Sequence, residues 1–195
     1  GRQLGARETG VYFLAGSAAA GFSAGLAGSR TSATNGVAGG LPASPAPTIV
    51  HGDYRLDNTM LAPDDPGSIV AVLDWEMATL GDPLSDMGLF LVYWRRDESA
   101  ARGVGAPVDT RAGFMSREEI VERYGKQSGR DVSQLDFYEV LAAYKLAIIL
   151  EGIHARFLMG KTLGEGCGEM GELVVQLAKS GLAVADAAPD PKLHA

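Results

Sequence analysis

Three side chains near the middle of the chain could hold a divalent cation and move a proton. Asp53 and Asn58 lie within the stretch HGDYRLDN (His51 to Asn58), and Asp74 closes the apolar part of the run SIVAVLDW (Ser68 to Trp75). A carboxylate, an amide oxygen and a second carboxylate are hard oxygen donors of the kind Mg²⁺ takes, with waters and substrate phosphates filling the rest of its octahedron. Phosphoryl transfer asks for such a set: a metal held by a few oxygens, and one carboxylate left to accept a hydroxyl proton. Taken singly, each residue has a plainer explanation. Asp-x-x-x-x-Asn in a loop is common turn chemistry, and an aspartate at a strand end is commonly solvated. The weight lies in their order and spacing together.

For the three to meet, a strand–loop–strand hairpin has to present them at one end. TIVHGDY reads as a short apolar strand entering a polar loop, and DDPG is a turn signal. The pattern predicts short strands at Ile49–Val50, Thr59–Leu61 and Ile69–Leu73, the last β-branched and expected to be buried. The remainder reads as helix. Asp82 is an N-cap with Pro83 at the first helical position of a helix to Arg96. Ser116 and Glu119 form a capping-box pattern for a helix that Gly125 is expected to stop. A long helix spans roughly Gln134 to Met159, closed by Gly160, and a last one runs from about Glu169 to Ala187. Trp75, Tyr93 and Trp94 are expected in the core rather than along a substrate pocket. His154, near Arg156 on the long helix, reads as packed or solvated.

With 195 residues and 46% apolar content, the chain can build one sizeable domain or one large lobe of a bigger fold. A net charge of −7 argues against a nucleic-acid-binding surface, which needs a basic patch. The single cysteine, Cys167 in GEGCGEMG, excludes an internal disulfide framework and fits a reducing cytoplasm. It reads as an incidental thiol. Residues 1 to 47 differ in character from the rest of the chain. They are rich in Gly, Ala and Ser, show no helical or strand period, and end in the linker-like GGLPASPAP (Gly39 to Pro47). The apolar stretch Val11 to Gly28 has too many glycines and serines for a good membrane span, so no membrane partner is expected. This segment is expected to be poorly ordered, with a lobe at 48–187 and a tail at 188–195.

The stretches HGDYRLDN, VLDWEMATLGDPLSDMG and YKLAIILEGIHARFLMGKT together resemble the aminoglycoside phosphotransferase and choline kinase family. They come nearest the branch found as kinase-like domains attached to, or encoded beside, acyl-CoA dehydrogenases. The resemblance covers about residues 48 to 185. It implies an α+β fold, the C-lobe of a protein-kinase-like structure, mostly helical with short strands around the catalytic loop. It implies ATP and Mg²⁺ as cofactors and a small-molecule hydroxyl as acceptor, a hydroxyacyl-CoA or related hydroxy acid before an antibiotic. By position, Asp53 would be the catalytic base, and Asn58 and Asp74 the metal ligands. Arg55 would stabilise charge on the transferring phosphate. Asp86 would hydrogen-bond the catalytic-loop backbone, His51 would fix the loop, and Glu76 could stand in an outer shell or touch substrate.

Family members also carry a β-rich N-lobe with a phosphate-covering loop and a lysine for the α- and β-phosphates. The lysines here (Lys126, Lys145, Lys161, Lys179 and Lys192) all come after Asp74, so the N-lobe is expected to be missing. A truncated or frame-shifted gene product, with native sequence resuming near Thr48, would account for that. The alternative function is then a catalytically inactive lobe that binds partners, or a non-functional fragment. A metal-dependent hydrolase built on the same carboxylates is the weaker third reading, since it lacks a His-rich ligand set.

Overall fold

The computed structural model describes residues 41–43, 45–94, 113–161 and 169–193. The expectations for the N-terminal segment before Leu41, for the helix beyond Trp94 and for Cys167 lie outside the described residues. The chain divides into two compact units, one of residues 42–142 and one of residues 143–195 with 1–41. All the candidate site residues fall in the first.

In the 42–142 unit, four short strands form two antiparallel ribbons. Strand β1 (Thr48–Val50) pairs with β4 (Thr79–Gly81), Ile49 opposite Leu80. Strand β2 (Thr59–Leu61) pairs with β3 (Ile69–Val72), Thr59 opposite Val72, with an irregularity between Met60 and Leu61. The DDPG turn closes the second ribbon. Ala62 N–H donates to the Ser68 carbonyl, and Asp65 caps the turn by accepting from Gly67 N–H at 3.2 Å and from the Ser68 hydroxyl. The sequence signals for β1, β2 and β3 hold within a residue, but two expectations change. β4 comes out of a stretch for which no strand was expected. β3 is not a buried strand, since Ile69 and Val70 are exposed, as are Ile49 and Leu80. A two-stranded ribbon has no third strand or packed layer to cover such side chains.

Helix α1 (Leu84–Tyr93) begins where Asp82 Oδ1 accepts from Leu84 N–H at 3.0 Å, one residue later than the sequence suggests. It buries Leu84, Met87, Leu91 and Val92. Gly88 is required by packing: a Cβ there would lie 2.5 Å from the Tyr138 carbonyl carbon of helix α3 (Leu135–Leu158). The Tyr138 hydroxyl donates to Asp82 Oδ2, tying the start of α1 to α3. Helix α2 (Arg117–Ser128) carries the full capping box: Ser116 Oγ accepts from Glu119 N–H at 3.2 Å, and Glu119 Oε2 accepts from Ser116 N–H at 2.7 Å. Gly125 does not stop this helix. It sits inside it, facing Val132, and the left-handed residue that ends the helix is Gly129, with φ +67°. Arg117 reaches from α2 to the buried Glu139 of α3 with both guanidinium nitrogens, and its Nη1 also donates to the Leu91 carbonyl at 3.0 Å.

In the other unit, α3 from Ala143 onward buries Ala143, Leu146, Ala147 and Leu150. Helix α4 (Met170–Ala187) buries the stripe Leu173, Val174, Leu177 and Ala185. The half-buried His154 ring stands against Gly171, where a Cβ would come 3.0 Å from Nε2. Gly160, with φ +68°, closes α3. Among the described residues no helix is long and apolar enough to cross a membrane.

Candidate active site

The loop after β1 is pinned by its backbone. His51 N–H donates to Asp86 Oδ2 at 2.6 Å and Gly52 N–H to Asp86 Oδ1 at 2.8 Å, so one carboxylate of α1 fixes two successive peptide groups. Gly52 has φ +86°, and a Cβ there would lie 2.8 Å from the Met77 carbonyl oxygen; no other residue fits. The buried His51 ring works from both nitrogens. Nε2–H donates to the Leu73 carbonyl at 2.7 Å, and that assigns Nδ1 as the acceptor for Asp53 N–H at 3.3 Å.

The side chains of the loop form one bonded group. Asn58 Nδ2 donates to the Asp53 carbonyl at 2.8 Å and to Asp53 Oδ2 at 3.1 Å. Asp53 Oδ1 accepts from the Tyr93 hydroxyl at 3.0 Å. Arg55 Nε lies 3.6 Å from Asp53 Oδ2 and 3.9 Å from Asp57 Oδ2, and is buried with no hydrogen-bond partner among the described residues. Its guanidinium carbon stands 5.3 Å from the centre of the Tyr93 ring. Burial, then the charge of Asp53, raises the Tyr93 phenol well above the ordinary tyrosine range, so it remains a donor at any physiological pH.

Asp74 reaches the same end of the hairpin through the backbone. Leu73 N–H donates to the Asn58 carbonyl at 2.8 Å, which extends the β2–β3 ladder by one step and places Asn58 and Leu73 opposite each other. Asp74 is the next residue. With φ 63° and ψ 56° it is the one non-glycine residue at positive φ among the described residues, and it turns the chain into the 3₁₀ turn Trp75–Met77. Strain of this sort gathers at functional positions. Asp74 is exposed and makes no hydrogen bond or ion pair with a described residue. Glu76, in the 3₁₀ turn, is likewise exposed and unpaired within that set.

This donor set fits Mg²⁺. The amide nitrogen of Asn58 is spent on Asp53, which leaves Oδ1 to ligate, and the Asp74 carboxylate is uncommitted. One amide oxygen and one carboxylate suit a cation that keeps waters and shares substrate phosphates. Among the described residues no group of three or more His, Cys, Asp or Glu gathers into a metal cluster, so those residues form no all-protein zinc site.

The aromatic expectations divide. Trp94 is core, its Nε1–H donating to the Met115 carbonyl at 2.9 Å. Trp75 is not: it is 51% exposed, with its indole N–H on the Val72 carbonyl and its ring 4.7 Å from that of His51. Tyr93 is a half-buried partner of Asp53, which sequence reasoning missed. A signal was available. Asp86, Phe90 and Tyr93 stand at i, i+4 and i+7, one face of α1, and all three meet the His51–Asn58 loop, Phe90 through the Tyr54 ring at 5.7 Å. Beside that face lies a groove of about 330 Å³, lined by Tyr54, Asp86, Phe90, Ile120, Arg123 and Tyr124 among others.

Residues 34–138 match the model of the phosphotransferase enzyme family, more than half of the chain. The chain belongs to that family. A crystal structure of a candidate aminoglycoside phosphotransferase from Ralstonia eutropha JMP134 superposes on this chain with a TM-score of 0.74 at 30% identity, over 94% of this chain and 54% of that one. Curated relatives include acyl-CoA dehydrogenase family member 11 of Rattus norvegicus, 34% identical over 137 residues, and of Homo sapiens, 31% identical over 136 residues. Acyl-CoA dehydrogenase family member 10 of Mus musculus is 32% identical over 142 residues. These alignments take in 69%, 69% and 71% of this chain but 18%, 17% and 13% of the relatives' lengths. The chain thus spans less than a fifth of the length of the curated relatives it matches. The mostly helical fold with short strands around one loop is the kinase-like fold that the family resemblance implies.

Proposed function

We propose that this domain transfers a phosphoryl group from ATP to the hydroxyl of a small molecule, with Mg²⁺ as its cation. The acceptor is a hydroxyacyl-CoA or a related hydroxy acid. The observation that carries the reading is the bonded chain from Asp53 through Asn58 to the backbone of Leu73, next to Asp74. The acceptor class draws on the curated relatives, which are named for acyl-CoA chemistry. The apolar lining of the groove beside Tyr54 suits an acyl body. A cytoplasmic setting goes with the single cysteine, and the net charge of −7 gives no reason to add a nucleic-acid partner. No membrane partner enters this reading.

Bound Mg·ATP supplies the phosphoryl group and much of the charge neutralisation around it. Asp53 accepts the proton of the acceptor hydroxyl. Asn58 Oδ1 and the Asp74 carboxylate would hold the cation. Arg55, whose Nε has no hydrogen-bond partner among the described residues and lies 3.6 Å from Asp53, can turn its charge toward negative charge arriving at the loop. Asp86 and His51 keep the backbone in place while this happens.

The test uses the full-length protein with Mg·ATP and hydroxyacyl-CoA thioesters. Asp53→Asn should lower turnover by about 10²- to 10⁴-fold, the range for a general base, and leave the melting temperature unchanged. Turnover within a few-fold of the parent would remove Asp53 as the base. Calorimetric titration with Mg·ATP should show saturable binding that Asp74→Asn weakens.

A further inference from the structure

We propose that Tyr93 is a positioning residue for the transfer: its hydroxyl locks the Asp53 carboxylate so that the open lone pair of Oδ1 takes the acceptor proton. The proposal rests on the reading of Asp53 as the base.

The two oxygens of Asp53 are loaded unequally. Oδ2 accepts from Asn58 Nδ2 at 3.1 Å and faces Arg55 Nε at 3.6 Å. Among the described residues Oδ1 accepts from Tyr93 alone, at 3.0 Å. A carboxylate oxygen offers about two lone-pair directions, so Oδ1 keeps one that no described residue fills. The carboxylate torsion is broad and roughly two-fold, and one donor on Oδ2 does not fix it. A second donor on Oδ1, from a helix rather than from the loop, does. Tyr93 sits on the same face of α1 as Asp86, so one rigid element sets both the loop backbone and the tilt of the carboxylate.

Tyr93 acts through two separable parts. The hydroxyl serves Asp53. The ring stands 5.3 Å from the Arg55 guanidinium, beside the ion pair that Arg55 makes with Asp53 at 3.6 Å. With the phenol held protonated by burial and by the charge of Asp53, the donor persists through neutral and mildly alkaline pH. In the transfer, the acceptor O–H proton passes to Oδ1 and its bonding pair stays on oxygen. That oxygen bonds to phosphorus as the bond from phosphorus to the leaving diphosphate oxygen breaks, taking its pair with it.

The experiment compares the full-length protein with Tyr93→Phe and Asp53→Asn, using Mg·ATP and hydroxyacyl-CoA thioesters, with slow ATP hydrolysis by water as a second rate. The carboxyl ¹³C resonance of Asp53 is read without nucleotide. Tyr93→Phe should lower kcat by about ten- to a hundredfold, the worth of one hydrogen bond to a charged group, with KM for both substrates within about threefold. The Asp53 carboxyl resonance should shift while the melting temperature holds. If Tyr93→Phe keeps kcat within about twofold while Asp53→Asn abolishes turnover, the role of Tyr93 is overturned and the phosphotransferase reading stands. An unmoved Asp53 resonance overturns it equally, and that measurement on folded protein decides even if the variant proves less stable. If Asp53→Asn itself retains turnover, both readings fall. Tyr93→Leu, which removes the ring as well, should add a rise in KM for ATP.

Discussion

Replacing Asp86 by alanine removes the acceptor of two backbone N–H groups at once. His51 N–H, in a residue only 3% exposed, and Gly52 N–H both donate to this one carboxylate, at 2.6 and 2.8 Å. Each hydrogen bond to a charged group contributes about 1.5–3 kcal/mol, and a buried donor left unpaired costs about 1–3 kcal/mol. The groove beside α1 is lined by Asp86 itself, so water can enter where the carboxylate stood and satisfy part of the deficit. The expected loss is therefore about 2–4 kcal/mol rather than the full sum. The damage should be local. With its backbone released, Asp53 moves relative to Asn58, and a displacement near 1 Å can cost about a hundredfold in rate. Denaturant unfolding gives the stability change, and amide hydrogen exchange at His51 and Gly52 reports whether the loop was released. A stability loss below about 0.5 kcal/mol with unchanged exchange at both amides would refute the claim that Asp86 holds the loop.

The packing and the proposed metal ligands lead to three further expected outcomes. Gly88→Ala should destabilise by about 1–3 kcal/mol or more, because its Cβ would meet the Tyr138 backbone at 2.5 Å; the shift in melting temperature checks it. Arg117→Met should cost up to about 3–5 kcal/mol by removing the cation paired with the buried Glu139 carboxylate, less where the remaining partners of Glu139 or water at the half-open arginine side compensate. Adding Glu139→Leu should restore much of that, and a denaturation series on both variants tests the pair. Asp74→Asn should leave the melting temperature within error, since asparagine tolerates the left-handed backbone, while weakening Mg²⁺ binding in calorimetry.

What could be read from the chain is what depends on neighbours in sequence. The capping box at Ser116 and Glu119, the DDPG turn and the long periodic helices are local arrangements, and each is present. The HGDYRLDN loop with a β-branched run ending in Asp74 sufficed to lay out the strands that carry the site. The misses are long-range. Gly125 has the composition of a stop, yet it continues the helix, facing Val132, and Gly129 takes the left-handed turn instead. Strand β4 is three residues long and exists through its partner β1, so no period could announce it. Glu139 looks like a polar residue on an apolar face until Arg117, from another helix, is found opposite it. Tyr93 was legible only in relation to Asp86, by counting two helical turns along α1.

The Asp74 backbone angle constrains how this hairpin could be redesigned. A residue in the left-handed region reverses the direction of the chain over a single peptide, so the strand can deliver its carboxylate and depart at once. β-branched replacements there would resist the turn before any question of metal affinity arose. A designer grafting this centre onto another scaffold would have to import the bend along with the ligand. Lengthening the exposed segment between Ala62 and Gly67 would leave that bend untouched.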